Sequence, residues 1–261
     1  MPLQLNPTLD RVLDAADRPL IGGWVCSGSP VMAEIMAGSG LDLVLIDMEH
    51  APNGLESVLA QLHALSGYPV TPLVRVSSGD PVTIKQVLDL GVQNLLVPMI
   101  STPEQARAVA AAAAYPPAGQ RGIGNALARS GRWNRVQNYL QDAASQVSVY
   151  LQIETAEGVE NAEAIAAVSG VAGIFAGPSD LAASMGLLGR QTHPRVIEAV
   201  KTTFAAAKRA GKTAGVNAFD PAAARDYLEA GAAWVLVGAD VSLVARGSEQ
   251  LAADFIPRTA D

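Results

Sequence analysis

The sequence predicts an α/β protein, a closed (β/α)8 barrel of the TIM type, and three observations support this fold class. Eight short runs of apolar, strand-forming residues alternate with Ala-rich stretches of helical periodicity along the whole chain. The runs are apolar almost throughout, as is typical of parallel strands covered on both faces. The chain has 261 residues, close to the usual size of one such barrel. A doubly wound open sheet is the alternative that the same alternation allows.

The predicted strands are, in chain order, residues 21–27, 41–48, 71–76, 94–99, 147–154, 173–176, 213–218 and 234–238. Helical patterns such as 81–90 and 103–114 lie between them. A glycine stands shortly before five of the strands, at Gly40, Gly91, Gly170, Gly211 and Gly231. Glycine is common just after a helix because it adopts the left-handed conformation without a Cβ clash. These joints therefore favour repeated helix-to-strand units.

Residues 115–146 interrupt the alternation between the fourth helix and the fifth strand. This segment contains several prolines and glycines, followed by arginine and aromatic residues that include Arg129. A loop of this length in a compact domain is usually functional or lies at an interface. No repeat or linker indicates a second domain. We therefore predict one barrel domain over residues 1–261, with 115–146 as a long loop or helical insertion.

The composition indicates a folded, acidic protein. Hydrophobic residues make up 49% of the chain and charged residues 16%, and the formal net charge is -7. An acidic surface repels phosphate backbones, so we expect no nucleic-acid partner. Cys26 is the only cysteine, which excludes an intrachain disulfide and fits a reducing cytosol. Residues 1–20 lack the pattern of a signal peptide, and no apolar run is long enough to span a bilayer. We expect a soluble, cytoplasmic protein without a membrane partner.

Polar side chains gather where the predicted strands end. In a barrel of this type, catalytic residues come from the C-terminal ends of the strands. The second strand leads into Asp47, Glu49 and His50, and the third ends at Arg75. The later strands add Gln152, Glu154, the turn Gly177-Pro178-Ser179-Asp180, Asn217 and Asp240. We predict that these groups converge at one end of the barrel.

Glu154 and Asp180 end strands that follow one another in the chain. Two neighbouring carboxylates repel each other, and a divalent cation removes that penalty. Oxygen ligands completed by water and substrate suit Mg²⁺ or Mn²⁺. The structural alternative is a salt bridge for Glu154 and a helix cap for Asp180. The turn that begins at Gly177 could likewise bind a substrate carboxylate through its N–H groups or simply cap a helix.

His50 is the one histidine of three that follows a predicted strand end. Its usual pKa range suits a general base near neutral pH, although a purely structural role is the alternative. Arg75 could stabilise an enolate as charge develops on the substrate oxygen, or pair with Asp47 or Glu49. None of the four lysines ends a predicted strand, so a Schiff-base mechanism has no candidate. Cys26 is interpreted as a small buried residue rather than a nucleophile.

Five motifs in the chain resemble those of one enzyme family. They are LIDMEHAPN at 45–53, LLVPM at 95–99, YPPAGQRG at 115–122, QIET at 152–155 and GPSDL at 177–181. The sequence is similar to the class II, metal-dependent pyruvate aldolases typified by 4-hydroxy-2-oxoheptanedioate aldolase and the 2-dehydro-3-deoxy-sugar-acid aldolases. The similarity runs from about residue 22 to 246. It implies a barrel of the phosphoenolpyruvate/pyruvate-binding type.

The resemblance implies a role for each matching residue. His50 corresponds to the proton acceptor and Arg75 to the residue that stabilises the transition state. Glu154 and Asp180 correspond to ligands of a divalent cation such as Mg²⁺, Mn²⁺ or Co²⁺. The substrate-binding groups implied are Gln152, Ser179, Gly177, the backbone at Asp180, and Arg75.

The resemblance also implies that the active site belongs to an oligomer. Asp89 corresponds to an aspartate that raises the basicity of the histidine, and in the family it comes from a neighbouring subunit. Asp47, three residues before His50, could orient the same histidine. The resemblance implies a homohexamer, built as a dimer of trimers, in which the last helix is exchanged between partners. Two departures, Met48 and the end of the seventh strand at 216–219, bear on the aldehyde that is accepted.

The predicted activity is reversible cleavage of 4-hydroxy-2-oxo acids to an aldehyde and pyruvate, or a close 2-oxo acid such as hydroxypyruvate, through a metal-stabilised enolate. A related lyase acting on acyl-CoA substrates, or an oxaloacetate decarboxylase, is an alternative on the same scaffold. A non-catalytic metal-binding barrel is a further alternative. The number of ionisable strand ends that converge favours an enzyme.

Overall fold

A computed structural model describes residues 3–257, in which eight parallel strands close into a barrel in chain order. The strands are β1 (Leu20–Val25), β2 (Leu43–Asp47), β3 (Thr71–Arg75), β4 (Asn94–Val97), β5 (Ser148–Ile153), β6 (Gly173–Ala176), β7 (Thr213–Asn217) and β8 (Trp234–Ala239). The pairing of β8 with β1 closes the ring. The (β/α)8 barrel is thus confirmed, and the doubly wound alternative is wrong. Residues 1–2 and 258–261 of the predicted domain lie outside the described residues.

The helices lie between and around the strands. They are α1 (Leu9–Ala15), α2 (Pro30–Ala37), α3 (Leu55–Leu65), α4 (Pro81–Asp89), α5 (Pro103–Ala113), α6 (Tyr139–Asp142), α7 (Ala156–Glu160), α8 (Ala162–Ala166), α9 (Pro178–Ser184), α10 (Pro194–Arg209), α11 (Pro221–Glu229) and α12 (Asp240–Phe255). A proline in the first turn and an aspartate cap begin some of them, such as α4, where Asp80 accepts from the Thr83 N–H. Within residues 3–257, no helix is long and apolar enough to cross a membrane.

Aromatic rings pack inside the barrel. Phe175 stacks on Trp234 with the ring centroids 4.8 Å apart, and Tyr150 meets Trp234 edge-on at 5.7 Å. Gly215 makes room for this packing, because a Cβ on it would lie 2.2 Å from the Trp234 indole. A larger apolar layer lies between the strands and the helices that surround them. The filled interior leaves the chemistry to the ends of the strands.

Helix α1 packs against the N-terminal end of the barrel, an arrangement that the sequence did not predict. Leu9 is fully buried, and its N–H donates to the Asn94 side chain over 2.7 Å. Asp10 accepts a hydrogen bond of 2.5 Å from the Ser148 hydroxyl at the start of β5. These contacts join the N-terminal segment to β4 and β5.

The segment 115–146 lies at the same N-terminal end, because it leaves the end of α5 and enters the start of β5. It contains α6 and a 3-10 turn, Ala143–Ser145. Its arginines contact the joint after α4, where Arg129 donates to the Leu90 carbonyl over 2.8 Å. None of its residues lines the pocket at the opposite end of the barrel.

Candidate active site

A pocket of about 310 Å³ opens at the C-terminal ends of the strands. Seven of the residues predicted to act here line it, namely Asp47, His50, Arg75, Gln152, Gly177, Ser179 and Asp180. Glu154 is buried beside the wall and touches it through Gln152, whose amide N–H₂ donates to its Oε2. The structure thus brings together all the predicted site residues except Asp89.

Arg75 is fixed on several sides within this wall. The register of β2 and β3 places Asp47 beside it, and two hydrogen bonds of 2.8 Å join the guanidinium to the Asp47 carboxylate. Nη1 forms an ion pair with Glu49 Oε2 at 3.0 Å, and the Trp24 ring lies 4.4 Å from the guanidinium carbon. Burial alone would lower the pKa of Arg75, but Asp47 and the other acids raise it overall. The arginine is a preorganised cation facing the pocket.

Asp47 also organises the loop after β2. Its carboxylate accepts from the N–H of Glu49 at 3.0 Å and from the N–H of His50 at 3.3 Å. Its carbonyl accepts from the Asn53 side chain at 2.8 Å. Asp47 therefore contacts the backbone of His50 rather than the imidazole, which stands at the rim with 65% of the side chain exposed.

The carboxyl group of Glu154 is almost completely buried. Its Oε1 accepts from the backbone N–H of Met99 over 2.7 Å, and Met99 adopts a left-handed φ of 59°. Burial raises the pKa of Glu154 to about 7, and the charges of Glu49 and Asp180 add to the rise. The hydrogen bonds from Met99 and Gln152 offset only part of this effect. A positive charge near Glu154 would therefore be strongly favoured.

The donor chemistry fits a hard divalent cation. Glu154 and Asp180 supply two carboxylates, and their repulsion contributes to the raised pKa of Glu154. Among residues 3–257, no group of three or more His, Cys, Asp or Glu side chains is arranged to hold a metal ion. Two protein carboxylates, with water and substrate oxygens completing the shell, suit Mg²⁺, which keeps several waters.

Gly177 permits the close approach of β6 to this acid. A Cβ at Gly177 would lie 2.7 Å from Glu154 Oε2 and 2.9 Å from the Gln152 amide nitrogen. Helix α9 begins at the next residue, and Ser179 and Asp180 stand exposed in its first turn. Backbone N–H groups of a first helical turn have no partner within their helix. The turn thus presents donors beside a buried acid.

Asp89 does not lie in the pocket of its own chain. It ends α4, at the N-terminal end of the barrel, where Arg121 Nη2 donates to its Oδ1 over 3.0 Å. Arg121 is itself buried and stacks over the Tyr115 ring at 4.6 Å. Any contact between Asp89 and a pocket would have to involve another chain.

Several wall residues were missed because they resemble ordinary strand residues. Trp24 is part of an apolar run, yet its indole N–H donates to Asn217 Oδ1 over 2.7 Å. Phe175 gave no polar signal, although it lines the pocket together with Phe219, which lies in the 216–219 segment singled out from the sequence. Cys26 lines it too, and burial raises the pKa of its thiol to about 12, with Asp47 and Asp240 adding to the effect. A thiol so hard to ionise is a poor nucleophile.

Comparisons with known proteins point to one family. The family model described as HpcH/HpaI aldolase/citrate lyase matches residues 20–247. A hydroxypyruvate/pyruvate aldolase of Deinococcus radiodurans is 51% identical over 257 residues, covering 97% of this chain and 92% of the relative. A 4-hydroxy-2-oxo-heptane-1,7-dioate aldolase of Salmonella heidelberg is 49% identical over 240 residues, covering 92% and 91%. The crystal structure of a family protein from Burkholderia cenocepacia matches with a TM-score of 0.89 and 41% identity, covering 94% and 98%.

Proposed function

The chain belongs to the HpcH/HpaI aldolase/citrate lyase family and is a carbon–carbon lyase of the aldolase class, and from this we propose its reaction. The enzyme reversibly cleaves 4-hydroxy-2-oxo acids to an aldehyde and pyruvate, or a close 2-oxo acid such as hydroxypyruvate. The observation that carries the proposal is the buried Arg75 guanidinium, which is held by Asp47 and faces a pocket bordered by Gln152 and the first turn of α9.

The pocket offers complementary positions for the two ends of pyruvate. Arg75 and Gln152 both line the pocket, with Arg75 Nη1 3.5 Å from Gln152 Oε1, and the guanidinium can donate to a keto oxygen in the pocket. The first turn of α9, with Ser179 and Asp180, presents N–H groups and a positive helix end to the carboxylate. A carbonyl beside the cation and a carboxylate at the helix fix the methyl group in the remaining space.

Proton transfer falls to His50 at the rim. In cleavage, the imidazole takes the proton of the 4-hydroxyl group, the C3–C4 bond breaks, and its electron pair forms the enolate as the aldehyde departs. The enolate carbon then receives a proton and pyruvate results. In the synthetic direction, His50 removes the methyl proton. Arg75 stabilises the negative oxygen, because a fixed cation needs no reorganisation as charge develops.

Glu154 and Asp180 would hold a divalent cation, which we propose is Mg²⁺, Mn²⁺ or Co²⁺. When bound, such an ion supplies Lewis acidity and a template for the substrate oxygens. Binding to the folded protein alone raises its stability by about 2.7 kcal/mol at a hundredfold excess over Kd. We expect Mn²⁺ to raise the Tm of the wild type. The same Mn²⁺ titration of Glu154→Gln should give no rise, and an equal rise in both would refute this ligand.

We also propose that the working unit is a homohexamer, a dimer of trimers, in which Asp89 serves a neighbour's His50 and α12 is exchanged between partners. Helix α12 supports this with large exposed apolar side chains, at Val241, Leu243, Val244, Leu251 and Phe255. Large exposed apolar side chains gathered on one helix are typical of a surface that a partner covers. Sedimentation of the purified chain gives its mass directly, and a stable, fully active monomer would contradict the proposal.

The reaction is tested by following pyruvate release with lactate dehydrogenase from a panel of 4-hydroxy-2-oxo acids. We expect turnover with at least one of them, lost on treatment with EDTA and restored by Mn²⁺. His50→Ala should lower kcat by about 10²–10⁴-fold, the usual share of a general base. Full activity after EDTA treatment would overturn the metal, and an active His50→Ala enzyme would overturn the base.

A further inference from the structure

A second cavity of about 160 Å³ adjoins the pocket along the ends of β6 and β7. The two spaces share the walls formed by Pro178, Ser179, Asn217 and Phe219. Building on the proposed function, we infer that this side cavity holds the substituent of the aldehyde. Its lining selects an uncharged, hydroxylated aldehyde over one that carries a carboxylate.

The side cavity is removed from the reacting atoms. Arg75, Gln152 and His50 line the main pocket, and none of them lines the side cavity. The carboxylate is the only group of pyruvate that takes no part in the bond changes. The proposed function places this carboxylate at the first turn of α9. The substituent of the aldehyde is the remaining part of the substrate that needs space. About 160 Å³ accommodates several water-sized groups, each of about 30 Å³ in the liquid.

Asn217 supplies a directed donor at the junction of the two spaces. An indole N–H only donates, so the hydrogen bond of 2.7 Å from Trp24 Nε1 requires the carbonyl oxygen of the Asn217 amide. The NH₂ group of the amide therefore points away from Trp24. Asn217 lines both cavities, so this NH₂ is placed to donate to an oxygen on the substituent. The Trp24 ring is in turn packed against Arg75, which makes the orientation rigid.

The remaining lining combines apolar residues, such as Ala218 and Ala223, with several polar ones, and it contains no cation. Gln191, Thr192 and Asp220 line the side cavity together with Tyr227, and no lysine or arginine among the described residues does so. Gln191 and Thr192 can exchange hydrogen bonds with hydroxyl groups. The carboxylate of Asp220 would repel an anionic substituent. A hydroxylated carbon chain finds partners here, whereas a carboxylate finds a like charge.

The test compares three aldehydes as acceptors of pyruvate in the presence of Mg²⁺. Glyceraldehyde is neutral and hydroxylated, propanal has the same carbon chain without the hydroxyl groups, and succinic semialdehyde is anionic. We expect kcat/KM for glyceraldehyde to exceed that for either of the others by about tenfold or more, the effect of one or two hydrogen bonds. Equal or better use of succinic semialdehyde would overturn the inference.

Asn217→Leu removes the donor at nearly constant volume. The measured quantity is the ratio of kcat/KM for glyceraldehyde to that for propanal in the same preparation, so a general loss of activity cancels. We expect this ratio to fall about tenfold. Arg190→Gln is the matched control, because Arg190 is exposed nearby and lines neither cavity. An unchanged ratio in Asn217→Leu would overturn the role of Asn217.

Exchange of the pyruvate methyl protons in D₂O separates this inference from the function on which it rests. The exchange needs enolate formation but no aldehyde. If the methyl protons exchange but the enzyme shows no preference among the three aldehydes, only the inference about the side cavity is overturned. No exchange in the wild type with Mg²⁺ would overturn the proposed function, and this inference with it.

Discussion

The two ends of strand β2 carry the same kind of ion pair in different surroundings. Before the strand, Asp42 accepts two hydrogen bonds from Arg18, at 2.7 and 2.8 Å. At its end, Asp47 accepts two from Arg75, both at 2.8 Å. The Arg18 side chain is 58% exposed and that of Arg75 is 7% exposed. Both pairs have two hydrogen bonds of similar length, made by Nη1 and Nη2 of Arg18 and by Nε and Nη2 of Arg75, and their largest difference is burial.

This difference in burial determines how much each pair contributes to stability and which of them can serve the reaction. An exposed pair is screened by water and contributes little, whereas a buried pair cannot lose one partner without stranding the other charge. Asp42 also accepts from the Ile21 N–H at 2.8 Å and so ties β1 to β2. Arg75 instead faces the pocket with Gln152 and has a second acid, Glu49, beside it. The buried pair maintains a cation where the reaction develops negative charge.

The largest expected effect is the loss of kcat/KM when Arg75 is replaced, compared with the same replacement at Arg18. Arg75→Met should lower kcat/KM by about 10²–10³-fold, the usual loss of one group that stabilises an oxyanion. Arg18→Met, the matched change at the other end of β2, should leave kcat/KM unchanged. Steady-state kinetics on both variants checks this, and equal losses would show that the two pairs do not differ in function.

The next effect concerns stability and is measured on the acids of the same pairs. Asp47→Asn removes the anion that holds Arg75 through two hydrogen bonds and leaves Glu49 as its ion-pair partner, so it should lower the free energy of unfolding by about 1–3 kcal/mol. Asp42→Asn should change it much less, because Arg18 is solvated. Urea denaturation followed by circular dichroism gives both values. A loss from Asp42→Asn as large as that from Asp47→Asn would break the comparison.

The smallest effect is a dependence on pH at the exposed pair. The hydrogen bond from Arg18 lowers the pKa of Asp42 from its ordinary value of 3.8. Because the folded pKa is lowered, the stabilisation is present above pH 3.8 and is lost as the pH falls through the folded pKa. The stability difference between wild type and Asp42→Asn should therefore be fully present at pH 6 and shrink as the pH is lowered below 3.8 and through the folded pKa. A difference that persists at low pH would mean that the charge is not its source.

The fold followed from the sequence because most strand residues are apolar, with the polar ones mainly at the strand ends, and β6 was predicted with its observed limits. Helix α1 was missed because it is short and buries a single residue, Leu9, which gives no periodic signal. The backbone conformation within residues 115–146 could not be predicted from the sequence either. Left-handed φ values, which these residue types do not predict, occur at Arg132, Trp133, Asn134 and Asn138.

The part of the site that could be predicted from the sequence is the set of polar residues at the ends of the strands. Asp47, Arg75 and Gln152 converge as the barrel requires. Trp24 and Asn217 were not joined, because a hydrogen bond over 193 positions of sequence depends on the curvature of the sheet that brings β1 near β7. The place of Asp89 stays a prediction, since the contact that it needs lies beyond a single chain.

The central claim is that the C-terminal end of the barrel forms an enolate of pyruvate with His50 as the base. Proton NMR of pyruvate in D₂O measures this step alone, without an aldehyde. We expect the methyl signal to decay with wild-type enzyme and Mg²⁺, and to decay at least about a hundredfold more slowly with His50→Ala. A methyl signal that persists with the wild type, or that decays equally fast with His50→Ala, would contradict the claim.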